Sequence, residues 1–187
     1  MFRDDIKNSL EVLNRGGVIL YPTDTVWGIG CDATNSAAIE RIYAIKRRNE
    51  AKSMLVLADS FDMLAGYVDD IPCIAKQLHE EAVRPVTIIY SEAKNLALNL
   101  VADDGSIGIR VVKDAFCLQL IKAFGKPVVS TSANISGEPA PGIFEEISGE
   151  IREAVDYIVT WRQDDRQRAT PSSIIKLNVD GTHNVLR

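Results

Sequence analysis

Three short segments concentrate the side chains able to do chemistry. The first, Tyr21-Pro22-Thr23-Asp24-Thr25-Val26-Trp27-Gly28-Ile29-Gly30, sets two threonines, a carboxylate and two glycines directly after an apolar run at 18–21. Small polar groups at a strand's end, on a backbone that glycine makes permissive, suit a small polar ligand. They equally suit a turn in which Asp24 and Thr25 satisfy local backbone groups. The second, Lys46-Arg47-Arg48-Asn49-Glu50-Ala51-Lys52, gathers four cations. In extended chain, Lys46 and Arg48 would face one way and neutralise a polyphosphate, the arginine with forked hydrogen bonds. At a helix end the same cations would only complement the dipole. The third, Ser130-Thr131-Ser132-Ala133-Asn134-Ile135-Ser136-Gly137-Glu138-Pro139, follows the apolar Pro127-Val128-Val129. Its hydroxyls and amide make a donor-rich lip for phosphate or ribose oxygens, at the strand end where open α/β sheets bind ligands. A structural loop with Ser or Asn helix caps is the competing reading.

Three further features are weaker. Arg110 stands inside the apolar stretch Gly108-Ile109-Arg110-Val111, where a buried charge needs a partner or a ligand. Pro171-Ser172-Ser173-Ile174-Ile175 puts two hydroxyls at the start of a strand, and Arg187 follows the apolar Val185-Leu186. What is missing narrows the chemistry. His79 and His183 are the only histidines and neither has ligand or triad spacing. There is no GxxxxGK[ST] phosphate loop and no GxGxxG fingerprint. Serine-nucleophile catalysis, a catalytic zinc and a dinucleotide-binding dehydrogenase are therefore disfavoured. The candidate site is built from hydroxyls, Arg and Lys.

Elements must position these groups. Ile6, Leu10 and Leu13 recur at helical spacing, predicting a helix over 3–15 that Gly16-Gly17 stops. A buried strand is expected at 18–21 and a turn or loop at 23–30. Asn35 or Ser36 caps a second helix that buries Ile39, Ile42, Tyr43 and Ile45 and delivers the basic cluster at its end. Further strands are expected at 54–58, 86–90, 106–112, 127–130, 157–159, 172–177 and 184–186. Helices are expected at 60–67, 71–81, 114–124 and 143–154. Helices and strands mix without strict βαβ alternation, which gives an α/β or α+β layer structure around a mixed sheet.

Composition bounds the rest. With 187 residues, 46% apolar and 25% charged, the chain suits one domain, 1–187, with a sizeable core. Residues 1–10 are charged and lack a signal peptide's apolar stretch, and no apolar run reaches membrane length, so the cytoplasm is expected. Cys31, Cys73 and Cys117 are widely spaced and read as reduced thiols. The net charge of −5 means any nucleotide or nucleic-acid site must come from local clustering.

The segments YPTDTVWGIG, IKRRNEAKS, SIGIR, PVVSTSANISGEPAP and PSSIIKL, with the final Leu186-Arg187, resemble in that order the YrdC/TsaC family of threonylcarbamoyl-AMP synthases, in its single-domain form. The resemblance implies an open, twisted mixed α/β sheet whose concave face holds ATP and threonine. It implies a reaction in which L-threonine, bicarbonate and ATP, with Mg²⁺, give threonylcarbamoyl-AMP and pyrophosphate. A partner transferase complex then passes the threonylcarbamoyl group to the adenosine beside the anticodon in tRNAs that read ANN codons. Direct contact with tRNA or double-stranded RNA is a further implied possibility.

Carried over by position, the resemblance places Thr25, Arg110, Ser130 and Ser172 on threonine, with Arg110 holding its carboxylate. It places Lys46 and Arg48, Lys52, Ser106, Ser132, Asn134 and Arg187 on the nucleotide, with Lys46, Arg48 and Arg110 as the catalytic cations. Departures from the family pattern are Asn49 for a proline, Arg84-Pro85-Val86-Thr87 for a proline-glycine-proline, Leu57 where relatives can have histidine, and Lys176, which reverses a charge. A non-catalytic RNA-binding module of the same fold is the alternative function. A carbamoyl-transfer domain is a third.

Overall fold

Capping and stop residues set most of the element boundaries in the computed structural model, which describes residues 2–47, 54–177 and 182–187. Helix α1, Arg3–Asn14, ends where Gly16 takes a left-handed φ of +76°. Asn35 accepts from the Ala38 N–H to open α2, Ser36–Ile45. Ser60 and Asp114 cap α3, Phe61–Leu64, and α5, Ala115–Phe124, in the same way. Gly125, at φ +73°, closes α5, and α4 spans Cys73–Glu81. The helix expected over 143–154 is instead a 3₁₀ turn, Phe144–Glu146, followed by α6, Gly149–Ala154. Ser148 accounts for the break, because its hydroxyl caps a new start at the Ile151 N–H.

Nine strands among the described residues form one open mixed sheet in the order β7-β1-β2-β6-β3-β5-β4-β8-β9. They are β1 Ile19–Tyr21, β2 Gly28–Gly30, β3 Leu55–Ala58, β4 Val86–Tyr90, β5 Ile107–Val111, β6 Val128–Ser132, β7 Tyr157–Ile158, β8 Ser173–Leu177 and β9 His183–Val185. The β1–β7, β3–β5 and β4–β8 pairs are parallel and the other five antiparallel.

Two expectations are corrected here. Residues 28–30 are not loop: they pair with β1 on one side and, through Gly28 and Ile29, with β6 on the other. Glycine hides this strand in the sequence, yet the packing demands it, since a Cβ on Gly30 would stand 2.4 Å from the Val129 carbonyl oxygen. Thr131 and Ser132 likewise belong to β6 instead of a loop after it.

Alternation along β5 sends Ile107 and Ile109 to one face, where both are buried, and Gly108 and Arg110 to the other. The core includes Leu13, Ile29, Ile39, Ile42, Phe116, Leu120 and Val129, each at most 1% exposed. Cys31 and Cys117 are buried within it and Cys73 is exposed. Among the described residues no helix is long and apolar enough to cross a membrane.

Asp5 ties α1 to the chain leaving β7. Its carboxylate accepts from the Tyr157 hydroxyl at 2.6 Å and from the backbone N–H groups of Thr160 and Trp161 at 2.8 and 3.0 Å. Burial pushes this carboxyl up, but the bonds from Tyr157, Thr160 and Trp161 outweigh it and hold the group below its ordinary value of 3.8. Asp5→Ala should cost about 3 kcal/mol by urea unfolding at neutral pH, because donors are left unpaired. A depressed folded value places that stabilisation above 3.8 and removes it as pH falls further, so the difference from wild type should shrink at lower pH.

Candidate functional site

The polar side chains singled out in the sequence converge because neighbouring strands present the same face. Gly108 and Arg110 on β5, Thr87 and Ile89 on β4, and Ser130 and Ser132 on β6 each sit two residues apart. Together they line a crevice of about 320 Å³. Ser106 and Ser172 reach it from just before β5 and β8, Thr25 and Trp27 from the turn before β2, and Arg187 from beyond β9. Gly28 keeps the wall open, since a Cβ there would lie 2.9 Å from the Ser130 hydroxyl.

Local hydrogen bonds fix what each group offers. The Thr23 hydroxyl donates to the Val26 carbonyl at 2.9 Å and accepts from the Thr25 N–H at 3.0 Å. Its proton is thereby used, so in the 3.0 Å contact between the two hydroxyls Thr25 is the donor. The Thr25 oxygen is left as an acceptor on the crevice, suited to an ammonium or a hydroxyl. Ser172 shares a hydroxyl–hydroxyl bond of 2.8 Å with Thr87, and both residues are 2% exposed. Thr87 had not been singled out for the site. Strand alternation with Ile89 was the available signal.

Asp104 positions Ser106, accepting from its N–H at 3.0 Å and its hydroxyl at 2.5 Å. The two bonds from Ser106, assisted by Lys176 at 3.2 Å, hold the Asp104 carboxyl below its ordinary range. The reversed charge at Lys176 thus has a partner in this chain. Leu57, another of the departures, is fully buried in β3 in register with Arg110. Arg187 is held by its Nε, which donates to the Ser172 carbonyl at 3.0 Å, and by its own carbonyl, which accepts from the Ile174 N–H.

Arg110 is 2% exposed and its Nε stands 3.1 Å from the Asp24 carboxylate, so the ion pair that the sequence left open is present. Burial raises the Asp24 carboxyl above its ordinary value, Arg110 opposes this, and the charge of Asp114 adds to it.

Lys46 has a different place from the one expected. It is 2% exposed at the end of α2, and its ammonium donates to the carbonyls of Ser132 and, at 2.7 Å, Asn134. Its own carbonyl accepts from the Ser136 N–H at 2.9 Å. Lys46 therefore stitches the 130–139 segment from beneath and is not among the described residues lining the crevice. The reason is that α2 ends at Ile45, so the chain has not become extended at Lys46. Asn134 spends its amide donors on the Ile135 and Glu138 carbonyls and shapes the same loop without lining the crevice. Arg48, Lys52 and Asn49 lie outside the described residues.

Comparison with known proteins places this architecture. The family of Sua5, YciO and YrdC proteins, described as "Telomere recombination", matches residues 11–187. A protein of Pseudoalteromonas translucida (strain TAC 125) named threonylcarbamoyl-AMP synthase is 36% identical over 157 residues, 82% of this chain and 84% of that one. The crystal structure of E. coli YciO superimposes with a TM-score of 0.84 at 27% identity, over 98% of this chain and 88% of that one. P. abyssi Sua5 complexed with L-threonine gives a TM-score of 0.85 at 23% identity, over 97% of this chain. This chain spans 53% of that protein, and the likeness there is one of fold.

Gly108 separates a folding role from a site role. A Cβ there would meet Thr87 Cγ2 at 3.4 Å and Leu55 Cβ at 3.8 Å, ordinary contacts on the crevice floor. Gly108→Ala should unfold close to the wild-type temperature by scanning calorimetry, with the added methyl taking up part of the crevice floor. Gly30→Ala, facing the Val129 carbonyl, should instead lose about 1–3 kcal/mol of stability.

Proposed function

This chain belongs to the Sua5, YciO and YrdC family, and we propose that it is an L-threonylcarbamoyladenylate synthase. It joins L-threonine, bicarbonate and ATP into threonylcarbamoyl-AMP and pyrophosphate, supplying the activated group for threonylcarbamoyladenosine in tRNA. The observation that carries the reading is one crevice in which a buried arginine lies among hydroxyls from separate strands, beside the cationic Arg187.

In this reading Arg110 holds the threonine carboxylate, and the acceptor oxygen of Thr25 takes the ammonium or the hydroxyl. Ser130 and the Ser172–Thr87 pair complete that end. Ser106, Ser132 and Arg187 serve the nucleotide, while Lys46 fixes the peptide carrying Ser132 and Asn134. The amine adds to the carbon of bicarbonate and water leaves, giving a carbamate. A carbamate oxygen then attacks the α-phosphorus of ATP, and the bond to the pyrophosphate breaks. Two anions meet in that step, so alignment and charge neutralisation do most of the work. Arg48 and Lys52 would contribute cations on the phosphate side.

Among the described residues no group of three or more His, Cys, Asp or Glu side chains could hold a metal ion. Mg²⁺ would enter with ATP, where it offsets phosphate charge. A transferase complex would consume the product in the cytoplasm, and direct tRNA contact would fall to the cations that follow Lys46, namely Arg47, Arg48 and Lys52. An RNA-binding module without catalysis leaves the crevice unexplained, and the net charge of −5 disfavours it.

Purified protein with Mg²⁺ and ATP should release pyrophosphate only when L-threonine and bicarbonate are both present, with threonylcarbamoyl-AMP seen by mass spectrometry. No release from folded protein would remove the synthase reading. Salt-sensitive RNA binding without it would put the alternative in its place.

A further inference from the structure

The Asp24–Arg110 pair divides its two members between two cavities. Arg110 lines the crevice with Thr87, whereas Asp24 lines a second cavity, of about 390 Å³, whose wall includes Val86 and Val111. Those valines are the chain neighbours of Thr87 and Arg110, and alternation sends them to the face away from the crevice. Asp24 therefore meets the guanidinium from outside the crevice, near the end of β5. The ion pair sets Nε 3.1 Å from Oδ1, and both atoms are buried without a well-aligned hydrogen bond to any described residue.

We propose that Asp24 is a positioning residue for the amino-acid half of the reaction: by holding the Nε edge of Arg110 from outside the crevice, it turns the terminal guanidinium nitrogens toward the crevice to receive an α-carboxylate. The proposal rests on the synthase reading and adds to it a residue that touches no substrate. A planar guanidinium fixed along one edge presents its remaining donors in one direction, which is what forked recognition of a carboxylate needs. Because Asp24 holds Nε and does not line the crevice, a ligand carboxylate on the crevice side would not compete with it for one edge.

The electrostatic setting agrees. Around Asp24 stand Arg110 from β5, Lys113, Asp114 and Cys117 from the start of α5 and the residue before its cap, His79 from α4, and Arg162 from the chain after β7. Lys113 also donates its backbone N–H to the Asp24 carboxylate. Burial raises the Asp24 carboxyl above 3.8 by more than Arg110 lowers it. A raised folded value means that ionising this group as pH rises works against the folded state. On the acid side Asp24 takes up a proton sooner than an ordinary carboxyl, and Arg110 loses its anchor.

Steady-state kinetics on Asp24→Asn test this directly. The KM for L-threonine should rise about tenfold, with kcat and the KM for ATP within about twofold of wild type. In wild type the threonine KM should climb at the acid end of the profile, and the variant should lack that climb. If Asp24→Asn does not fold, Asp24→Glu, which keeps the charge but displaces it by one methylene, should show the same split. An unchanged threonine KM, or equal rises for threonine and ATP, would overturn the proposal alone. Absence of threonylcarbamoyl-AMP from the wild type would overturn the synthase reading and this proposal with it.

Discussion

Arg110 carries a guanidinium into the middle of a sheet at 2% exposure, and a charge so placed costs several kcal/mol unless it is paired. Much of the surrounding architecture follows from meeting that demand. The counter-charge comes from Asp24, in the turn between β1 and β2, so that turn must reach the end of β5. Thr23 stitches the turn through the Thr25 N–H and the Val26 carbonyl. Arg162 adds a bond from its guanidinium to the Thr23 carbonyl at 3.1 Å and a contact to Asp114 at 3.4 Å. A carboxylate outside the crevice and open space within it make Arg110 a ready receptor for an anion.

The crevice is shaped by a second constraint, the need to hold loops still around it. Lys46 does this for the 130–139 segment by giving its ammonium to two carbonyls, a use of a buried cation that needs no carboxylate. At the rim, Trp27 is backed by the Phe144 ring at 4.8 Å between centroids. The Arg168 guanidinium lies against Gly142 and grips the Glu146 carboxylate with two nitrogens, joining the segments on either side of α6. Rigid surroundings of this kind suit a reaction whose rate depends on alignment.

The sequence carried the helices and most strands because their signals are local. Asn35, Ser60, Asp114 and Gly125 mark ends with their own backbone bonds, and apolar periodicity marks the faces. It also supplied seven of the residues that line the crevice, Thr25, Ser106, Arg110, Ser130, Ser132, Ser172 and Arg187. What escaped depends on partners distant in the chain. Gly28–Gly30 is a strand only because Tyr21 and Val129 close over it. Lys46 reads as a surface cation until the 130–139 segment folds over it. Thr87 gains meaning only from Ser172, 85 residues later. Lys176 and Asp104 find each other across 72 residues. None of these pairings leaves a trace in local spacing.

The central claim is that this crevice holds an amino acid by its carboxylate on Arg110. Calorimetric titration of the protein with L-threonine and with L-threoninol, which replaces the carboxylate by an alcohol, addresses it most directly. Saturable heat with threonine and none with threoninol is the expected result. Equal affinities for the two would contradict the claim, because the arginine at the crevice floor would then have no part in recognition.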